Sequence, residues 1–463
     1  MLISKSLLEK TLNEALSTGA DFAEVFAEDS YSSMLSMIDS KPKTASVGRQ
    51  YGAGIRLHFG TEEIFVTTND LSETGLIKAA KTATQSKPGG ARKIQSQVLN
   101  PYAHDSKHTY GDMPWEVDRT RKFGFLKDLD QTTRKQSTLV TQTTPMLNEK
   151  VQKVLIANSK GLLVEDTRIN YRTFIDVIVE EAGTRESFSK NYFSCTDPLF
   201  FESLNVMDIA KQTVESALTI LRAPFAPAGE MPVVLANGFG GVIFHEACGH
   251  GLETTSVAPK TSVFSEELGK KIADSCVTAV DDGTIEGEWG SLKFDDEGNQ
   301  TKKTTLIENG ILKSYMVDEL GKKKTGFEIT GSGRRQNYKF APTSRMRNTY
   351  IAAGTSSLDE MIKDIDYGIF AKEMGGGSVS PGTGDFNFAV REAYIVRNGK
   401  IESPVKGASL IGRGIEALGQ ITKVGSDLKL SPGMCGSVSG SIPAAVGQPS
   451  VLVSKILVGG RAS

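Results

Sequence analysis

The stretch Pro232-Val233-Val234-Leu235-Ala236-Asn237-Gly238-Phe239-Gly240-Gly241-Val242-Ile243-Phe244-His245-Glu246-Ala247-Cys248-Gly249-His250-Gly251 reads as a short buried strand, a glycine turn and a helix that carries two histidines. The run 232–236 is apolar and bounded by turn residues, and helical spacing takes over from about Gly240. Five histidines and 55 carboxylates scattered over 463 positions would produce His-Glu-x-x-x-His by chance on the order of 0.006 times. The pattern therefore marks a candidate metal site. Where two histidines stand at i and i+4, both imidazoles share one helix face and can bind Zn²⁺, with the glutamate after the first as general base. Here the spacing is i, i+5, which turns the second imidazole roughly 140° from the first on a regular helix. The backbone must leave the α-helix between them, and Gly249 and Gly251 permit either a helix end or a π-type widening.

Working upstream, Ala223-Pro224-Phe225-Ala226-Pro227-Ala228-Gly229 breaks helix and strand alike, so the main boundary falls there. The expected domains are 1–222 and 223–463. In the first, a helix at 3–18, strand-like runs including Tyr51–Phe59 and Glu63–Val66, and a helix near Leu71–Ala83 lead into a polar loop at 88–112. A helix at about Trp115–Gln136, strands over 137–194 and a helix at 206–222 then repeat the order, suggesting two similar lobes, 1–112 and 113–222. Downstream, Glu308-Asn309-Gly310-Ile311 and Arg397-Asn398-Gly399-Lys400 place Asn-Gly between alternating runs, which calls for type I′ hairpins. The fold class expected is α+β: N-terminal α+β lobes with antiparallel sheet, then a predominantly antiparallel β domain bearing the metal-binding helix.

Composition excludes several function classes. Net charge is −2, with 53 basic and 55 acidic residues, so no global field draws the chain to nucleic acid or an anionic membrane. Lys322-Lys323-Lys324 reads as a solvated turn. No run of about 18 apolar residues exists, and the first residues lack the apolar core of a secretory signal. Four cysteines are too few for a disulfide scaffold of this size, and a cytoplasmic location fits best.

Two imidazoles leave a catalytic zinc short of its usual three protein ligands. On the residues alone the third is a carboxylate or a thiolate. Cys435 stands out, in the glycine-bracketed loop Ser431-Pro432-Gly433-Met434-Cys435-Gly436-Ser437, although a lone cysteine is as commonly a buried hydrophobe. Cys248 points to another side of the helix from His245 and reads as core. Glu253 is a candidate acceptor for a ligand imidazole, or else a surface glutamate. Arg334 and Arg335 can anchor a substrate carboxylate or form a structural ion pair. Asn237–Gly241 sits where a dinucleotide loop would, but Ile243 occupies the last glycine position of that pattern. The glycine-rich run 375–384 reads as a loop over the substrate channel more readily than as a phosphate cradle. His58, His104 and His108 are treated as non-ligands.

His245-Glu246-Ala247-Cys248-Gly249-His250-Gly251-Leu252-Glu253 resembles the HExxxH signature of the TldD/PmbA family, and Gly331–Arg335, Arg345–Tyr350, Gly384–Phe388 and Met434-Cys435-Gly436 match further family stretches. The resemblance covers the second half densely and the first half in layout. It implies one Zn²⁺ per chain held by His245, His250 and Cys435, Glu246 as catalytic base, and hydrolysis of peptide bonds in small peptides or unfolded segments. Members are also described as modulators of DNA gyrase. The resemblance further implies a heterodimer with a metal-less TldE/PmbA-like sister chain, or a homodimer. The rival readings are a regulatory or binding protein stapled by a structural zinc, and a metal-dependent amidase or deformylase acting on small molecules. N, O and S donors of this sort accept several divalent metals, zinc and iron among them.

Overall fold

The computed structural model describes residues 2–87, 95–102, 113–380 and 382–460. His104, His108 and most of the polar stretch 88–112 lie outside the described residues. In the first half, strand-forming runs gather into one seven-stranded sheet. Its order is Glu62–Thr68, Lys41–Phe59, Phe22–Ile38, Val140–Asn158, Leu162–Glu181 and Asn100–Pro101, with Thr184–Ser194 also on Leu162–Glu181. The two sets of strands expected as separate lobes meet inside it: Phe22–Ile38 pairs antiparallel with Val140–Asn158 from Glu24↔Asn158 to Ser36↔Met146. Strands of 17 to 20 residues reach roughly 55–65 Å at about 3.3 Å per residue.

Four helices close this sheet, each started by a side-chain cap on the backbone: Ser4 for Lys5–Ala15, Ser72 for Glu73–Gln85, Asp118 for Arg119–Lys135 and Asn205 for Val206–Arg222. Their apolar stripes bury Leu8, Leu12, Leu76 and Ala80 against one end of the sheet, and Leu126, Leu129, Val214 and Ala217 against the other.

The second half folds around two sheets. One has the order Tyr367–Val379, Gly229–Leu235, Val451–Gly459, Ser409–Arg413, Asp385–Arg397, Lys400–Val405, with Ile421–Val424 also on Val451–Gly459. The other runs Ile311–Leu312, Lys303–Glu308, Ala279–Asp282, Asn348–Ile351, Gly440–Gln448, Lys429–Ser437. Pairing is mainly antiparallel, with parallel contacts where Gly229–Leu235 meets Tyr367–Val379 and Asn348–Ile351 meets Gly440–Gln448. Both Asn-Gly turns have the two positive φ angles of a type I′ hairpin, 49° and 80° at Asn309 and Gly310, 48° and 71° at Asn398 and Gly399.

A buried ionic network joins the halves. Arg56 and Glu24 from the N-terminal sheet are fully buried, Arg56 bonding Glu297 and Arg335 bonding Glu24. Arg168 bonds Asp296, and the Arg335 amide donates to the same carboxylate at 2.7 Å. Among the described residues no helix is long and apolar enough to cross a membrane.

Candidate metal centre

The helix Val242–Ala247 is held by its apolar face: Val242, Ile243, Phe244, Ala247 and Cys248 all enter the main core of the second half. It ends at Cys248, whose φ of −125° and ψ of −49° leave the helical region, and a 3₁₀ turn Gly249–Leu252 follows. Of the two departures open to the i, i+5 spacing, the chain takes the helix end. Gly249 and Gly251 have no positive φ. They serve close packing instead: a Cβ at 249 would collide with Met346, and one at 251 would lie 2.8 Å from the Phe264 ring.

This ending turns His250 back toward His245, and the two rings stand edge to face with centroids 5.3 Å apart. Cys435 arrives from the hairpin Lys429–Ser437/Gly440–Gln448, where it pairs with Ile442. His245 Nε2 lies 3.2 Å from Cys435 Sγ, and His250 Nε2 lies 3.4 Å from the same sulfur. All three ligand atoms fall within 4.8 Å of one another. A tetrahedral zinc with bonds of about 2.3 Å to sulfur and 2.0–2.1 Å to nitrogen separates N from S by about 3.6 Å. The donors and their spacing therefore fit a divalent metal. Burial alone would raise the Cys435 thiol, but the charges and hydrogen bonds of His245 and His250 override it and hold its pKa well below the ordinary range. Burial would likewise lower His250, yet Glu253 and Cys435 raise it well above the usual histidine value.

Glu246 lies on the rim, partly exposed, with Oε2 3.6 Å from His250 Nε2. Glu253 is buried and its Oε1 lies 3.2 Å from His250 Nδ1. On its far side, 4.0 Å away, is Arg345, whose Nη2 donates to the Cys435 carbonyl at 2.6 Å and whose Nη1 donates to Ser439 Oγ and the Gly440 carbonyl. Arg345 thus ties the cysteine hairpin to the glutamate that faces the second histidine. Sequence reasoning did not single it out as a site residue, since a fully buried arginine sits in a stretch quoted only for likeness.

The remaining candidates fall elsewhere. Cys248 is buried in the core, with its thiol pushed up by burial. His58 is buried against the Phe22 ring, far along the N-terminal sheet. Arg335 is spent on Glu24 and the Asp296 carbonyl and lies over the Phe26 ring at 4.4 Å, so its guanidinium is committed to the ionic network. Arg334 donates to two backbone carbonyls, those of Met346 and Pro443. The turn at Asn237–Gly241 packs closely on the strand Gly440–Gln448, where a Cβ at Gly240 would lie 2.5 Å from Gln448 Nε2. Of the glycine-rich run, Gly375–Gly377 belong to the strand Tyr367–Val379 and not to a loop, while Pro381 lies outside the described residues. The far end of that hairpin reaches the metal helix: Gly414 donates to the Gly384 carbonyl, and Gly384 lies close to the Ala247 carbonyl.

Three domain profiles match the chain in series: PmbA/TldA metallopeptidase domain 1 at 23–86, the central domain at 112–221 and the C-terminal domain at 228–460. A metalloprotease TldD homolog of Buchnera aphidicola is 35% identical over 462 residues, covering 97% of this chain and 95% of the relative. One from Haemophilus influenzae is 36% identical, covering 95% and 93%. In fold, the chain is similar to a Thermotoga maritima protein described as a modulator of a DNA gyrase, with a TM-score of 0.80, 21% identity, and coverage of 98% of this chain and 100% of that one. It is also similar to TldE from Thermococcus kodakarensis, with a TM-score of 0.79, 18% identity and the same coverage. Near-full-length identity and three consecutive domain matches place this chain in the TldD/PmbA family, as a metalloprotease.

Proposed function

We propose that the chain is a zinc peptidase in which His245, His250 and Cys435 hold one Zn²⁺ and Glu246 is the general base. The observation that carries this reading is the convergence of two imidazole nitrogens and one thiolate, with a carboxylate on the open rim. A zinc ion supplies Lewis-acid polarisation of a carbonyl and acidification of water. Glu246 takes a water proton on its carboxylate and returns it to the departing amine. Glu253, whose Oε1 lies 3.2 Å from His250 Nδ1, favours a proton on Nδ1, which leaves the Nε2 lone pair for the site. Arg345 keeps Glu253 and the cysteine hairpin in one register. A structural zinc normally has four protein ligands, and the group among the described residues has three, which favours catalysis over a staple.

The substrate in this reading is a small peptide or an unfolded segment, the chain acts in the cytoplasm, and its partner is a metal-less TldE-like sister. Residues 223–463 form the catalytic domain and 1–222 the domain that supports it. The test is Glu246→Gln in the full chain, with and without such a partner. Cleavage of an unfolded protein should be abolished while about one zinc per chain is retained by mass spectrometry. Loss of both would indicate that Glu246 holds the site together and is not a base, and cleavage of small amides alone would favour the amidase reading.

A further inference from the structure

A second cleft, of about 570 Å³, lies between the N-terminal sheet and the second half, and none of the three metal-site donors lines it. One wall is a face of the N-terminal sheet. Lys150 pairs with Asn170 and Gln152 with Arg168, so these four side chains stand on the same side. The opposite wall contains Trp289, Arg334 and Pro443. It backs onto the cysteine hairpin, because Trp289 Nε1 donates to the Gly433 carbonyl at 2.8 Å and Pro443 pairs with Met434.

Charge in the cleft is unevenly matched. Asp296 and Asp166 are committed to Arg168. Burial raises the Glu288 carboxyl, which favours its neutral form. Glu286 lies exposed at the cleft, and two cations of its walls, Lys150 and Arg334, feel Asp296 but have no carboxylate bonded to them among the described residues. Lys150 has no ion-pair or hydrogen-bond partner among the described residues; burial pulls its ammonium below the usual value against the attraction of Glu28 and Asp296, with Arg168 and Arg334 adding to the fall. Arg334 is 4% exposed. Its Nη1 donates to Met346 and Pro443, leaving Nε and Nη2 without a partner among the described residues. Burial, joined by Arg168 and Arg345 against the pull of Asp296, lowers this guanidinium to about 10. Two desolvated cations, neither bonded to a carboxylate, cost stability unless an anion joins them. A planar guanidinium edge beside an ammonium suits a carboxylate.

We propose that this cleft binds a carboxylate between Lys150 Nζ and Arg334 Nη2, and that the ligand is the free C-terminus of a short peptide. The choice of a peptide rests on the peptidase reading; the carboxylate site itself does not. The chain has two tryptophans, and Trp289 lines the cleft, so Trp115→Phe leaves a single reporter inside it. The assay titrates the full-length, zinc-loaded Trp115→Phe/Glu246→Gln chain with Ala-Ala-Ala and with its C-terminal amide, following Trp289 emission. The free acid should saturate, and the amide should bind at least tenfold more weakly. Lys150→Met should weaken the acid roughly ten- to hundredfold, with Lys150→Arg restoring most of it and near-UV circular dichroism unchanged in both. Equal affinity for acid and amide, no saturation by the acid, or full affinity in a folded Lys150→Met chain would overturn the site. Saturation by inorganic phosphate with no response to the peptide would overturn the carboxylate assignment. Binding is read without turnover, so if the wild-type chain, assayed with its TldE-like partner, cleaves no peptide while Ala-Ala-Ala still binds here, the peptidase reading falls and this one stands.

Discussion

Adding one methyl group at Gly249 isolates what the glycine between the two histidines does. An alanine Cβ there would sit 3.1 Å from Met346 Cε and closer still to Sδ. Non-bonded contacts relax at about 3.5–4.0 Å, so Met346 must retreat by roughly 1.5 Å. Methionine is flexible, but Met346 is fully buried in the main core, and its retreat overpacks that core. The expected cost of Gly249→Ala is about 1–3 kcal/mol. The alternative relaxation moves the 3₁₀ turn, and with it His250 away from Cys435, so metal content should fall as well. Met346→Ala alone should cost about 2–5 kcal/mol by leaving a cavity. The double variant should be more stable than the sum of the two single losses predicts, by about 1–3 kcal/mol, because each change relieves the other. Urea unfolding of the four proteins, each with its metal content measured, completes the cycle. A Gly249→Ala chain with wild-type stability, or strictly additive losses, would refute the packing argument and return the glycine to a purely conformational role.

Other outcomes follow from the same geometry. Glu253→Gln should lower zinc affinity about ten- to hundredfold without removing a ligand, read by competition with a chromogenic chelator; unchanged affinity would make Glu253 a packing residue. Arg335→Met removes the hydrogen-bonded partner of Glu24 in the interface between the halves and leaves it only Arg56 at 3.7 Å, which should cost about 3–5 kcal/mol, whereas a loss below 1 kcal/mol would show that Arg56 alone satisfies Glu24. Asp318 is buried beside Glu297 and its carboxyl is raised to about 7. A raised acid stabilises the fold below its unfolded pKa near 3.8, and that contribution is lost as pH rises through 7. Wild-type melting temperature should therefore drop between pH 5 and 8 more than that of Asp318→Asn, which keeps an oxygen to cap Glu319–Thr325; parallel curves would refute the shift.

What could be read from the sequence was what local chemistry dictates. Asn309-Gly310 and Asn398-Gly399 announce their hairpins because only such residues enter two positive-φ positions cheaply. By contrast, the turn between the first two long strands uses Asp39 and Ser40 at φ of 52° and 60°, with no glycine to mark it. The single N-terminal sheet was hidden because strand order across it depends on pairing between Phe22–Ile38 and Val140–Asn158, over a hundred residues apart. At the metal centre, His245, Glu246 and His250 were visible from rarity and spacing, while the third donor stayed open on the residues alone. Nothing local links Cys435 to a helix 190 residues away. Arg345 was illegible for a similar reason: its four partners lie on two other segments. The cleft shares the same obscurity, since its walls come from both halves.

That separation of 190 residues between His245 and Cys435 bears on how the protein is made. During synthesis the histidine pair emerges long before the cysteine, and two imidazoles alone grip a metal weakly. Closing so long a loop is entropically costly, and the hairpin that carries Cys435 is seated through the pairing of Gly440–Gln448 with Asn348–Ile351. With the proposed three donors, tight capture of a metal would need the finished fold. By mass action a metal so held would deepen the native basin by RT ln(1 + [metal]/Kd), coupling the proposed chemistry to completion of the fold.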